Sequence, residues 1–293
     1  MNATLDCLPC FIRQTLDAVR MATDDKKMQN QVLRQVLYEA CVIDLDRSPP
    51  LVCQQLLELV GKLTGETDPY AQEKVRCNQT VLDMVDMLRE QVATATDPLA
   101  KAVRLAIAGN VIDFGIYGSI SSGDIQAAIR NCLSVDMHDE AFDDFRNAIK
   151  TAGTVLYLAD NAGEIVLDRL LIETMDHPGV TVAVRGGPIL NDATLIDAEA
   201  VRLRDVTCVI DNGSRAPGTV LEECSSEFCR IFQDADLIIA KGQGNYESLH
   251  DVDKDIFFLL KAKCVLVARS LGCEVGDMVL KRGSFGTVTE MVA

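Results

Sequence analysis

Near Thr151 the hydrophobic pattern of this chain changes period, and that change limits the fold more than any other feature. Before it, apolar residues recur at three- and four-residue spacing: Leu8, Phe11, Ile12, Leu16 and Val19, then Met28, Val32, Val36, Leu37, Ala40 and Cys41. That is the period of helices with one buried face. Ser48-Pro49-Pro50 and Asp97-Pro98 each open a further helix. The spacing of Val75, Val81, Leu82, Val85, Leu88 and Val92 predicts one long helix after Pro69. Residues 109–123 form a glycine- and serine-rich interruption, and 124–133 and 139–150 read as two more helices.

After Thr151, short β-branched runs alternate with helical stretches. They lie at 154–158, 180–184, 206–210, 237–240 and 264–268. Runs that are apolar at nearly every position fit strands covered on both faces, hence a parallel sheet between helices. The expected fold class is α/β: an all-helical region over 1–150, with a break near 65–70, then an α/β/α domain over 151–293 with a mostly parallel sheet. The strand order is not readable from the runs.

Each run ends in polar or glycine residues, and open α/β sheets bind ligands beyond the carboxyl ends of their strands. Asp160 and Asp192 lie one strand–helix–strand unit apart. If their strands are neighbours, the two carboxylates can share one hard divalent cation, with Asn161 adding an amide oxygen. Oxygen ligands of this kind suit Mg²⁺ or Mn²⁺. The Gly186-Gly187-Pro188 turn must fold Asp192 back for this to hold. Lys241 opens Lys241-Gly242-Gln243-Gly244-Asn245, where an ammonium and close backbone N–H groups suit an anion. Asp211-Asn212-Gly213-Ser214 and the segment from Gly109 to Gly115 supply further polar groups. Taken singly, each feature has a plainer reading: Asp160 and Asp192 as helix N-caps, Lys241 as a solvated strand-end charge, the glycines as a turn. Their meeting on one sheet edge favours a site.

A formal charge of −16 argues against a nucleic-acid binder or a polybasic membrane-surface protein. No apolar run reaches a membrane span, and no signal peptide is visible, so a cytoplasmic location is expected. Most of the 11 cysteines read as reduced, buried thiols. Cys7-Leu8-Pro9-Cys10 is readable as a redox pair, half a metal site or, more plainly, a buried and a half-buried thiol. His138, His177 and His250 read as surface residues.

The segments Cys7-Leu8-Pro9-Cys10-Phe11, Gly109-Asn110-Val111-Ile112-Asp113-Phe114-Gly115, Asp160-Asn161-Ala162-Gly163-Glu164, Gly187-Pro188-Ile189-Leu190-Asn191-Asp192 and Lys241-Gly242-Gln243-Gly244-Asn245-Tyr246-Glu247 occur in that order. Together they resemble the metal-dependent damage-control phosphatase family, also called ARMT-like, in its compact prokaryotic branch. The resemblance implies a helical region followed by a Rossmann-like α/β/α domain. It implies a divalent cation (Mn²⁺, Co²⁺, Ni²⁺ or Mg²⁺) at Asp160, Asn161 and Asp192, and a phosphate contact from Lys241. It places Asn78, Asn110, Asp113 and Asn245 near the pocket. The implied reaction is hydrolysis of small phosphomonoesters, sugar phosphates or damaged phosphometabolites, by water. Backbone N–H groups near Gly187 and Gly242 would then neutralise phosphate charge, and Asp113 or Asp211 would handle the proton. An aspartyl-phosphate route through Asp160 stays open. So do a Rossmann-like methyltransferase and a non-catalytic metal- or phosphometabolite-binding regulator. The partner expected is a small phosphorylated metabolite, and the oligomeric state is not legible.

Overall fold

A computed structural model describes residues 1–110 and 139–283. The chain opens with three helices, α1 (Leu8–Ala22), α2 (Lys26–Ala40) and α3 (Pro49–Thr64). The Asp25 side chain accepts from Lys27 N and starts α2. Two prolines start α3, and Gly65, at φ 79°, ends it. Their apolar stripes meet in a satellite core of Phe11, Val19, Val32, Val36, Leu56 and Val60.

The single long helix expected after Pro69 is instead two, α4 (Ala71–Leu82) and α5 (Val85–Ala93). The turn tightens between them, with Met84 N bonding Val81 O, and Leu88 N returns to Met84 O to restart the ladder. Val75, expected inward, is 64% exposed. Two further helices, α6 (Pro98–Gly109) and α7 (Asp139–Thr151), complete the helical half among the described residues.

Six strands follow: β1 (Val155–Leu158), β2 (Val180–Val184), β3 (Cys208–Asp211), β4 (Leu237–Lys241), β5 (Ile256–Lys261) and β6 (Met278–Arg282). They form one sheet of order β3-β2-β1-β4-β5-β6, parallel except for β6. The helices between them are α8 (Glu164–Met175), α9 (Leu195–Ala200), α10 (Ser226–Asp234), α11 (Gly242–Leu249) and α12 (Val265–Leu271). Alternate residues of each strand feed opposite cores. Val155 and Tyr157 pack with α4 to α8, whereas Leu156 and Leu158 pack with α10 to α12. The first core therefore spans both halves of the chain.

The run at 264–268, expected as a strand, is not one. Cys264 caps α12, its Sγ accepting from Val267 N, so the β-branched residues after it lie on a helix. The strand is Ile256-Phe257-Phe258-Leu259-Leu260-Lys261, buried on both faces. Among the described residues no helix is long and apolar enough to cross a membrane.

Candidate active site

Strand order reverses between β1 and β4. From β1 the chain steps outward to β2 and β3, then returns to β4 on the other side. Crossover helices diverge there and leave a crevice beyond the strand ends. Asp160 follows β1 and Gly242 follows β4, so both face it. Gly242 has φ 77°, and an added Cβ would fall within the Asp160 carboxylate. Only glycine lets the two strand ends close this tightly.

Asp192 is carried back to the same place by its backbone. Arg185 N bonds Ala193 O, Ala193 N bonds Asp160 O, and Ala162 N bonds Asn191 O, which seats Asn161 opposite Asp192. Neither aspartate is an N-cap; those positions belong to Gly163 and Thr194. Between the carboxylates lies the buried Arg185 guanidinium, 2.7 Å from Asp192 Oδ2 and 3.4 Å from Asp160 Oδ1. Asn245 and Thr219 hold the far side of that guanidinium.

Beneath Asp160 is a second ionic layer. The amide nitrogens of Asn110 and Asn161 each donate to both Asp160 Oδ2 and Glu164 Oε2. Lys241 Nζ donates to Glu164 Oε1, Asp168 Oδ1 and Ala106 O. Four buried carboxylates, Asp160, Glu164, Asp168 and Asp192, thus face two buried cations, Arg185 and Lys241. Burial, then the charges of Glu164 and Asp192, push the Asp160 carboxyl well above the usual carboxylate range. Burial also raises Asp192, with Arg185 opposing, and lifts Asp168 to about 6 against the pull of Lys241.

A surplus of buried negative charge beside two carboxylates and an amide fits a hard dication. Among the described residues no group of three or more His, Cys, Asp or Glu is arranged to hold a metal. The oxygen donors that a cation would meet here are the Asp160 and Asp192 carboxylates and the Asn161 amide. They open onto a cavity of about 670 Å³ that Asp160, Asn161 and Asp192 line together with Lys263 and Glu247.

The other expected residues are distributed differently. Lys241 does not line the cavity: it is fully buried, and all three of its N–H groups are engaged. Asn245 bonds Lys241 O and supports Arg185. Asn78 accepts from Gly163 N and donates to Asp197, shaping the turn into α8. Gly187 packs on the Arg215 side chain, and Asp211 accepts from Gly213 N in a local turn; neither lines the cavity. Asp113 lies outside the described residues.

Four residues were not singled out from the sequence. Arg185 stood in plain view at a strand end. Glu164 was visible in the Asp160–Glu164 segment. Lys263 was hidden by the expected strand at 264–268. Glu247 lies one turn after Gln243 on α11, and that amide donates to its carboxylate at 2.8 Å. Burial raises the Glu247 carboxyl to about 7, the Gln243 hydrogen bond opposing. Cys7, Cys10 and Cys264 also border the cavity and are free thiols.

Residues 3–279 match the damage-control phosphatase ARMT1-like domain. A damage-control phosphatase of Pyrococcus horikoshii is 33% identical over 290 residues, covering 97% of this chain and 99% of the relative. One of Archaeoglobus fulgidus is 34% identical over 284 residues, covering 94% and 97%. An uncharacterized protein of Methanocaldococcus jannaschii is 38% identical over 292 residues, covering 94% and 93%. The crystal structure of a DUF89 family protein from P. horikoshii superposes with a TM-score of 0.88 at 32% identity, covering 97% of this chain and 99% of that one.

Proposed function

The chain belongs to the damage-control phosphatase ARMT1-like family, and from that premise we propose that it hydrolyses small phosphomonoesters with a divalent cation held by Asp160, Asn161 and Asp192. One observation carries the metal assignment: two buried carboxylates converge at the sheet's reversal point and open into a cavity large enough for a small metabolite. When bound, the cation supplies Lewis-acid polarisation of the phosphoryl group.

The chain's own residues do the rest. Arg185 keeps the two aspartates apart and aligned. Lys263, on the cavity wall close enough to Asp160 to act on its charge, neutralises phosphoryl oxygens in the role first expected of Lys241. Glu247, with its carboxyl near neutrality, exchanges a proton at its Oε atoms close to physiological pH. The phosphate end of the substrate faces Asp160 and Lys263, and its organic end lies against Phe11 and Leu190. All-oxygen donors favour Mg²⁺ or Mn²⁺, with Co²⁺ and Ni²⁺ as competitors.

The test is a phosphatase screen on metal-stripped protein, with each divalent cation restored in turn over a panel of sugar and other small monophosphates. Turnover that requires added metal supports the reading. Metal or phosphate binding without turnover on any member would favour a non-catalytic regulator. Full turnover in excess chelator would overturn the metal assignment.

A further inference from the structure

We infer that Glu164, held by Lys241, is a positioning residue that decides which atom of Asn161 faces the cation; this rests on the metal reading above. The Asn161 amide nitrogen donates to Asp160 Oδ2 at 2.7 Å and to Glu164 Oε2 at 3.0 Å. An amide nitrogen has two N–H bonds, so both are used. Its oxygen takes no part in either bond, and Asn161 lines the cavity. Were the amide reversed, its oxygen would meet two carboxylate oxygens and its N–H groups would face the cation. Glu164 Oε2, which accepts from the Asn161 and Asn110 amides, therefore sets the orientation.

Lys241 holds the other oxygen of that carboxylate. Its Nζ lies 2.7 Å from Glu164 Oε1, and both side chains are fully shielded from solvent. The ammonium is in turn fixed by Asp168 and by Ala106 O at 2.9 Å. Tyr157 donates to Asp168 Oδ1 at 2.7 Å and steadies the far end. Asn110 repeats the arrangement, bonding Asp160 Oδ2 at 2.8 Å and Glu164 Oε2 at 3.2 Å. Asp160 Oδ2 is thereby occupied by two amides. Its Oδ1 takes a long contact from Arg185, at 3.4 Å, and is the atom left to bind a metal. Outer partners of this kind are worth about 10- to 100-fold in metal affinity.

The experiment is calorimetric titration of metal-stripped wild type and E164Q with Mn²⁺, alongside the visible d–d spectrum of the Co²⁺ forms. E164Q should bind Mn²⁺ at least about tenfold more weakly and show an altered Co²⁺ spectrum, because its amide can offer Asn161 a donor instead of an acceptor. E164D keeps the anionic acceptor but withdraws it by one methylene. Its affinity and spectrum should lie between those of wild type and E164Q, and it serves as the test if E164Q alone does not fold. Wild-type affinity and spectrum in E164Q, or in E164D where E164Q does not fold, would overturn the positioning role while leaving the metal site standing. A wild-type protein that binds none of Mn²⁺, Co²⁺, Ni²⁺ or Mg²⁺ would overturn the metal reading itself.

Discussion

At the scale of single residues, the site is a balance between close approach and like-charge repulsion. Gly242 allows Asp160 to sit against α11, and its positive φ alone would penalise any other residue by about 1 kcal/mol. Gly242→Ala adds a methyl group where the Asp160 carboxylate lies. It should lower stability by roughly 2–3 kcal/mol and weaken Mn²⁺ binding, both readable from a melt with and without metal. Asp160 itself should behave in the opposite sense. Its carboxylate is buried beside Glu164 and Asp192, and its ionised form is disfavoured in the metal-free protein. Asp160→Asn removes that repulsion. We expect metal-dependent turnover to fall by more than about 100-fold while the melting temperature in chelator stays level or rises. A variant that loses activity only because it unfolds would show a lowered melting temperature instead.

At the scale of elements, α11 carries the clearest pH signature. Glu247 has an ordinary carboxyl value of 4.5, raised to about 7 in the folded protein by burial. Between those values the folded chain binds more protons than the unfolded one, so stability falls as pH rises through this window. The full contribution is about 3 kcal/mol. Glu247→Gln should reduce the pH dependence of the unfolding midpoint between about pH 4.5 and 7, measured by urea titration, leaving the part that the raised Asp160, Asp168 and Asp192 carboxyls contribute. A slope unchanged by the substitution would assign it to another group. The same stretch shows what sequence could and could not reveal. Runs such as 180–184 and 237–240 announced their strands because they are apolar at almost every position. The run at 264–268 is equally β-branched, yet a thiol cap and packing of Val267 and Leu271 make it a helix, since tertiary contact outweighs propensity. The meeting of Asp160, Asn161 and Asp192 beyond the sheet was legible because strand ends can be located from sequence alone. The burial of Lys241 was not, because it depends on Glu164 and Asp168 lying one helical turn apart on α8 and on α6 supplying the Ala106 carbonyl.

For the whole molecule, the net charge of −16 bears on how a phosphate ester reaches the site. Close to the reaction centre the charges nearly cancel. With the proposed dication bound, Arg185, Lys241 and Lys263 would offset Asp160, Glu164, Asp168, Asp192 and Glu247. The distant field therefore governs approach, and it repels a phosphate dianion. Salt shortens the reach of that field from about 30 Å at 0.01 M to about 10 Å at 0.1 M. At saturating metal, kcat/KM should rise, on the order of two- to fivefold, over that range of ionic strength. An enzyme steered by a basic cleft would show the reverse slope. Lys263→Met adds the local contrast. Lys263 lines the cavity, so its loss should raise KM at every salt concentration and leave the upward slope in place. Lys241→Met should lower stability, by about 3–5 kcal/mol, since it strands two buried carboxylates, and should weaken metal binding through Glu164 rather than raise KM directly. A kcat/KM that falls with salt in the wild type, and stops falling in Lys263→Met, would mean that the cavity's own cation outweighs the field of the surface.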